Sequence, residues 1–277
     1  FQVSENSPKT EKTKTMRTPL RRPHVHGEGI FEVPVGPIHA GIIEPGHFRF
    51  SQAGENVIQL DPTLFFTHRG VEKSLEGLTL SQAIFRVERT CGACSASHAL
   101  SFSQAVESLT ATEVPVRARY IRVIVAELER LYNHIGDIGN ICAGVGFAVG
   151  VSHGSRMKES LLRFNEELTG NRFLRGMILP GGTSWDINGD LSRQLSSLIN
   201  SIGRDFQELL EIIGENAGVK DRFRRTGILP RQAAADLCVV GPAARASGVD
   251  ADLRRDHPYA AYRELKFAVP VRTHGDV

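Results

Sequence analysis

The sequence predicts a mainly α-helical fold with a small antiparallel β-region at its N-terminal end. Three observations predict it. Alternation of apolar and polar residues at period two is confined to about residues 29–62. From about residue 75 to 218, apolar residues recur instead at helical spacing, in stripes long enough to line a bundle core. No period of 20–50 residues repeats, so a solenoid is excluded.

The elements follow in order. Residues 1–28 place Lys9, Lys12, Lys14, Arg17, Arg21 and Arg22 among Thr, Pro and Ser, and read as a basic, flexible tail or linker. Ile30–Val35 reads as a strand; two more, His47–Phe50 and Val57–Leu60, flank a Gly54-Glu55-Asn56 turn. A helix is expected from near Ser81 to Glu88, and another from near Ser97 to Leu109. Pro115 opens the strongest one. Ile121, Ile124, Val125, Leu128, Leu131, Tyr132 and Ile135 form one apolar stripe over about four turns, and Gly136 and Gly139 mark its expected end. Ser155–Thr169 gives a further helix, stopped by Gly170. Asp190 is the expected N-cap of the next, with Leu191, Leu195, Leu198, Ile202, Phe206, Leu209 and Ile213 on one face. Residues 219–277 form an irregular C-terminal part, and the stretch from Gly241 onward is rich in Arg, Pro and Gly. The domain is expected to run over 29–277.

Composition removes several function classes. A net charge of +2 on 277 residues gives no basic field for nucleic acid. No apolar run approaches the roughly 20 residues that span a bilayer, so any membrane association is expected through partners. Gly144-Val145-Gly146-Phe147 follows a helix rather than a strand, so no NAD site is expected in this chain.

The cysteines carry the chemistry. Cys142 and Cys238 stand alone and read as buried small apolar residues. Cys91 and Cys94 are spaced C-x-x-C within Arg89-Thr90-Cys91-Gly92-Ala93-Cys94-Ser95-Ala96-Ser97-His98. Two thiolates suit a soft metal or redox chemistry. Gly92 is expected to let the loop turn tightly, Arg89 to lower a thiol pKa, and His98 to donate a hydrogen bond toward the site. A four-coordinate ion needs more donors, and neither a second C-x-x-C nor a His pair follows. The pair is therefore half of a site.

The R-x-C-G-x-C-x-x-x-H pattern resembles the N-terminal metal motif of nickel–iron hydrogenase large subunits. Its neighbours extend the resemblance in collinear order: Gly36-Pro37-Ile38-His39, Glu44-Pro45-Gly46-His47-Phe48-Arg49, His68-Arg69-Gly70-Val71-Glu72, Glu127–His134 (E-L-E-R-L-Y-N-H) and Arg254–Tyr259. The Glu127–His134 stretch resembles a helix shared with the 49 kDa quinone-site subunit of respiratory NADH dehydrogenase. The nearest branch is the membrane-associated one, of formate-hydrogenlyase or energy-converting type.

The resemblance implies a helical-bundle core of the hydrogenase large subunit or 49 kDa type. It implies Cys91 and Cys94 as ligands of a nickel–iron centre whose iron carries cyanide and carbon monoxide. It implies Glu44 as a proton carrier and Glu72 as a ligand of magnesium or iron. Arg89 and His98 would border the cofactor, and His39 would border a quinone in the alternative case. Expected partners are an iron–sulfur small subunit and further subunits of a membrane-associated complex, with the chain cytoplasmic and peripheral on the inner face of the cell membrane.

The family's second motif, D-P-C-x-x-C, is not found before Val277. The chain is thus expected to be a segment of a longer product or a decayed one, inactive alone. Three functions follow: a hydrogenase large subunit, a quinone-reductase subunit of 49 kDa type, or a non-catalytic scaffold.

Overall fold

The computed structural model describes residues 24–38 and 45–276. Two compact units divide at Arg69/Gly70. The first holds a three-stranded antiparallel meander, β1 (Ile30–Val35), β2 (His47–Ala53) and β3 (Asn56–Thr63). Ala53 pairs with Asn56 across a tight Gly54-Glu55 turn in which Gly54 has φ 60°, a value that a Cβ would strain. The buried Arg49 guanidinium ties the sheet together, donating to Asp61 at 2.9 Å. All three expected strands are present, each within a few residues of its expected limits.

The second unit is helical. Short α1 (Val71–Leu75) and α2 (Leu80–Val87) lead to α3 (Ser95–Thr110), α4 (Val116–Gly144) and α5 (Ala148–Thr169). A hairpin of β4 (Ile178–Leu179) and β5 (Gly182–Thr183) precedes α6 (Gly189–Glu215). Four short helices follow: α7 (Ala217–Phe223), α8 (Arg231–Asp236), α9 (Gly241–Ala246) and α10 (Leu253–Asp256), so the C-terminal stretch is less irregular than its composition suggests.

The core lies where the stripes predict. Ile121, Val125, Leu128, Tyr132 and Ile135 of α4 are buried against Leu161, Phe164 and Leu168 of α5 and Ile202 and Leu209 of α6. Four expectations need correction. Cys238, expected to be buried, is exposed, whereas Cys142 is buried. α5 begins at Ala148, a turn and more before Ser155. α4 does not stop at Gly136 or Gly139 but runs to Gly144. There α5 turns back antiparallel, and a Cβ on Gly154 would lie 2.8 Å from the Gly139 Cα. The glycines permit this close crossing rather than ending the helix. The cap of α6 is Asn188, whose side chain accepts from the Leu191 N–H; Asp190 sits in the first turn, ion-paired to Arg193.

α3, α4 and the β4–β5 hairpin are locked by a buried ion pair. Arg122 donates to Glu107 at 3.0 Å and to the Leu179 carbonyl at 2.7 Å, while the Gly181 N–H donates to Glu107 at 2.7 Å. Each charge is both paired and hydrogen-bonded, the condition for tolerating it in a core.

Candidate functional site

Cys91 and Cys94 occupy the loop between α2 and α3, and Cys94 is the N-cap residue of α3. Both are half-buried free thiols, and Cys91 lies close enough to raise the pKa of Cys94. Burial, the Cys91 thiol and the Glu129 and Asp137 carboxylates together hold the Cys94 thiol protonated, its pKa pushed up to about 12.

α4 supplies the support. Tyr132 Oη donates to the Ala93 carbonyl at 2.6 Å, and Asn133 Nδ2 donates to the same oxygen at 2.9 Å. Glu129 accepts from the Ala96 N–H at 2.6 Å, the Ser97 N–H at 2.8 Å and the Ser97 hydroxyl. Cys94 offers α3 no side-chain cap, so this buried carboxylate satisfies its first N–H groups from another helix. Burial pushes the Glu129 pKa up against the pull of those three donors. Arg175 adds a bond from Nε to Ser95 Oγ at 3.2 Å and lies over the Phe173 ring.

A cavity of about 750 Å³ opens beside Cys94. Ser97, Glu129, Arg130, Asn133, His134 and Asp137 form one wall, and the segment from Val240 to Tyr259 forms the other. Burial and the neighbouring Arg130 lower the His134 pKa, so the ring is neutral near pH 7. The far wall is fixed by an ion network. Glu127 accepts from Arg130 at 2.6 Å, from Tyr262 at 2.5 Å and from Arg254 at 3.2 Å, and Arg254 also donates to Asp252 at 2.8 Å. Burial of Glu127 is outweighed by these donors, and its pKa falls. The Glu127–His134 and Arg254–Tyr259 motifs, far apart in sequence, therefore meet in space.

The other expected site residues are less concentrated. Arg89 is exposed and turns back onto α2, donating to the Phe85 carbonyl at 2.6 Å. His98 is half-buried in the first turn of α3, its backbone N–H bonded to the Cys94 carbonyl at 3.2 Å. Glu72 is exposed in the first turn of α1. His39 and Glu44 lie outside the described residues. Gly92 does not use a left-handed conformation, so the tight turn does not require glycine there. Sequence reasoning missed Glu129, Tyr132 and Asn133. Glu129 carried a usable signal: a carboxylate at the buried positions of a stripe, one turn from Val125 and Tyr132, must meet donors.

The donor chemistry fits half of a soft-metal centre. Two neighbouring thiols share one loop, with Cys94 at a cavity wall, but no group of three or more His, Cys, Asp or Glu is placed to hold an ion among the described residues. Any further ligands must come from elsewhere.

Comparisons with known proteins place the chain. The nickel-dependent hydrogenase family matches residues 69–137, and the family of the respiratory-chain NADH dehydrogenase 49 Kd subunit matches residues 144–277. Formate hydrogenlyase subunit 5 of Escherichia coli (strain K12) is 36% identical over 245 residues, covering 88% of this chain and 42% of that protein. The carbon monoxide-induced hydrogenase of Rhodospirillum rubrum is 34% identical over 251 residues, covering 89% of this chain and 69% of that protein. Among solved structures, a chain of the membrane-bound sulfane sulfur reductase, an archaeal respiratory membrane complex, superposes with a TM-score of 0.84 at 28% identity over 91% of this chain and 68% of its own. The present chain thus spans less than half of the first of these relatives and about two thirds of the second. A helical core with a small N-terminal sheet, a C-x-x-C loop braced by α4 and these matches agree: the chain belongs to the family that unites nickel-dependent hydrogenase large subunits of energy-converting complexes with the 49 kDa subunit of respiratory NADH dehydrogenase.

Proposed function

We propose that this chain is the metal-site half of a hydrogenase-type large subunit, working in a membrane-associated oxidoreductase complex and passing electrons to an iron–sulfur partner. The observation that carries the reading is the Cys91/Cys94 pair in a loop held on α4, with Cys94 at the wall of a cavity. Cys91 and Cys94 would hold a nickel–iron centre, and the remaining ligands would be supplied from outside the described residues. Such a centre, when bound, supplies heterolytic cleavage of hydrogen.

The chain's own residues would position and protect it. A thiol held near 12 stays protonated until a metal displaces the proton, so loading releases protons and is favoured at higher pH. Glu129 keeps the loop docked on α4. Glu44 is the proposed proton carrier, and the exposed carboxylate of Glu72 is the proposed ligand for magnesium or iron, since a hard ion takes oxygen donors. His98, in the first turn of α3, is the proposed residue bordering the centre; the Arg89 guanidinium turns back onto α2 instead. Among the described residues no helix is long and apolar enough to cross a membrane, so attachment to the inner face of the membrane is assigned to partner subunits.

A second reading follows from the match of residues 144–277 to the 49 kDa family and from the missing third donor: quinone binding bordered by His39, without nickel. Metal content separates the two. The protein assembled with its partners is expected to carry nickel and to lose it, together with hydrogen turnover, on Cys94→Ser. Nickel-free wild-type protein that reduces a quinone analogue would replace the first reading with the second.

A further inference from the structure

We infer that Tyr132 and Asn133 are positioning residues that set the sulfur-to-sulfur geometry of the Cys91/Cys94 pair by pinning the loop at its midpoint. The inference rests on the reading of the two cysteines as a functional pair and goes beyond it, because both residues act on the loop's backbone.

The Ala93 carbonyl lies between the two cysteines. A carbonyl oxygen has two lone pairs, and here both are used: Tyr132 Oη donates at 2.6 Å and Asn133 Nδ2 at 2.9 Å. The Asn133 amide spends its other N–H on the Glu129 carbonyl of its own helix at 2.9 Å, which fixes the orientation of the side chain. The Tyr132 ring is fully buried, edge-on to Phe173 at 6.2 Å, so the hydroxyl cannot swing away. Residues three and four apart share one helix face. Glu129, Tyr132 and Asn133 therefore present one rigid surface, with Glu129 holding the start of α3 and the other two holding the loop before it. Loops of this length are otherwise the least constrained part of a helical fold. A pair of thiols that must take one ligand jointly gains affinity when the loop is fixed beforehand, because less entropy is lost on binding.

Phenylarsine oxide tests this in the chain as it exists, without nickel or partner subunits. The reagent joins two thiols to one arsenic and releases water, so its capture reads the pair geometry, while the rate of maleimide labelling reads each thiol singly. Tyr132→Phe, which keeps the buried ring, is expected to weaken capture by about fivefold, the factor that one net hydrogen bond of ordinary strength is worth. Tyr132→Phe with Asn133→Ala is expected to weaken it by more than tenfold. Maleimide rates and helical circular dichroism should stay near wild type. Tyr120→Phe, which removes a hydrogen bond to Glu264 away from the loop, should leave capture unchanged. Wild-type capture retained in folded Tyr132→Phe and in the double variant overturns the inference. If the double variant does not fold, Tyr132→Phe alone decides. Failure of wild-type protein to capture the reagent would instead overturn the pair reading on which the inference stands.

Discussion

Glu129 is the residue on which the loop and the first turn of α3 both depend. It is 2% exposed and accepts three hydrogen bonds from residues 96 and 97. Glu129→Ala strands the buried Ala96 N–H and the part-buried Ser97 N–H, and a loss of about 2 kcal/mol is expected, since an unsatisfied buried donor carries its full desolvation cost. Chemical denaturation of the variant checks it, and a loss below about 1 kcal/mol would show that water or a neighbour replaces the carboxylate. At this scale the sequence was only partly legible. Cys91 and Cys94 were visible because C-x-x-C is local. By periodicity Tyr132 is one more member of an apolar stripe, since spacing registers its ring and says nothing of its hydroxyl. Arg89 was expected at the thiols because it lies two residues away, yet its guanidinium caps α2. Sequence proximity does not specify which way a long side chain turns.

Among the elements, the α4–α5 hairpin is the most sharply defined. Gly139 and Gly154 face each other so closely that a Cβ on Gly154 would meet backbone at 2.8 Å. Gly154→Ala is expected to force the helices apart and cost about 2 kcal/mol, in the range of overpacked cores. Gly203, in α6, has nothing within 4 Å of an added Cβ. Gly203→Ala should therefore stabilise by about 0.5–1 kcal/mol through helix propensity alone. Opposite shifts in melting temperature for the two variants are the expected result, and shifts of the same sign would refute the packing argument. The positions of α4 and α6 were legible because each carries a stripe of seven apolar residues at helical spacing. Helix ends were legible only in part: Pro115 and Gly170 bound α4 and α5 as expected, whereas Gly136 and Gly139 stop nothing. Glycine is a plausible stop by propensity, but a crossing that buries both backbones offsets that cost. Asn188 and Asp190 are both good caps by type, and only the observed chain path selects Asn188.

On the scale of the whole helical unit, the C-terminal segment is fastened to α4 by the Glu127, Arg254 and Asp252 network. Hydrogen bonds from Arg254 outweigh burial and lower the Asp252 pKa from 3.8 to about 2. A depressed carboxyl stabilises the fold above its unfolded pKa, and the gain disappears as the pH falls through the folded value. Asp252 is thus expected to contribute up to about 2 kcal/mol at neutral pH, declining below 3.8 and absent under about 2. The gap in denaturation midpoint between wild type and Asp252→Asn should narrow from about pH 5 to about pH 3. A gap that is constant over that interval would assign its origin to packing instead. The two motifs joined by this network were each recognisable in the sequence. Their contact was not, because 127 residues separate Glu127 from Arg254 and no local pattern encodes which helix a late segment returns to.

The grip of α4 on the cysteine loop falls entirely on main-chain atoms: the carbonyl of Ala93 and the N–H groups of Ala96 and Ser97, with only the Ser97 hydroxyl added. Nothing in that grip inspects the side chains at positions 92 and 93, and a methyl group at Gly92 would meet no atom within 4 Å. The spacing of the two sulfurs is in this way insulated from the identity of the residues between them. Substitution can vary the chemistry that surrounds the pair while the scaffold that spaces it stays the same, which is the property expected of a fold that serves more than one redox reaction.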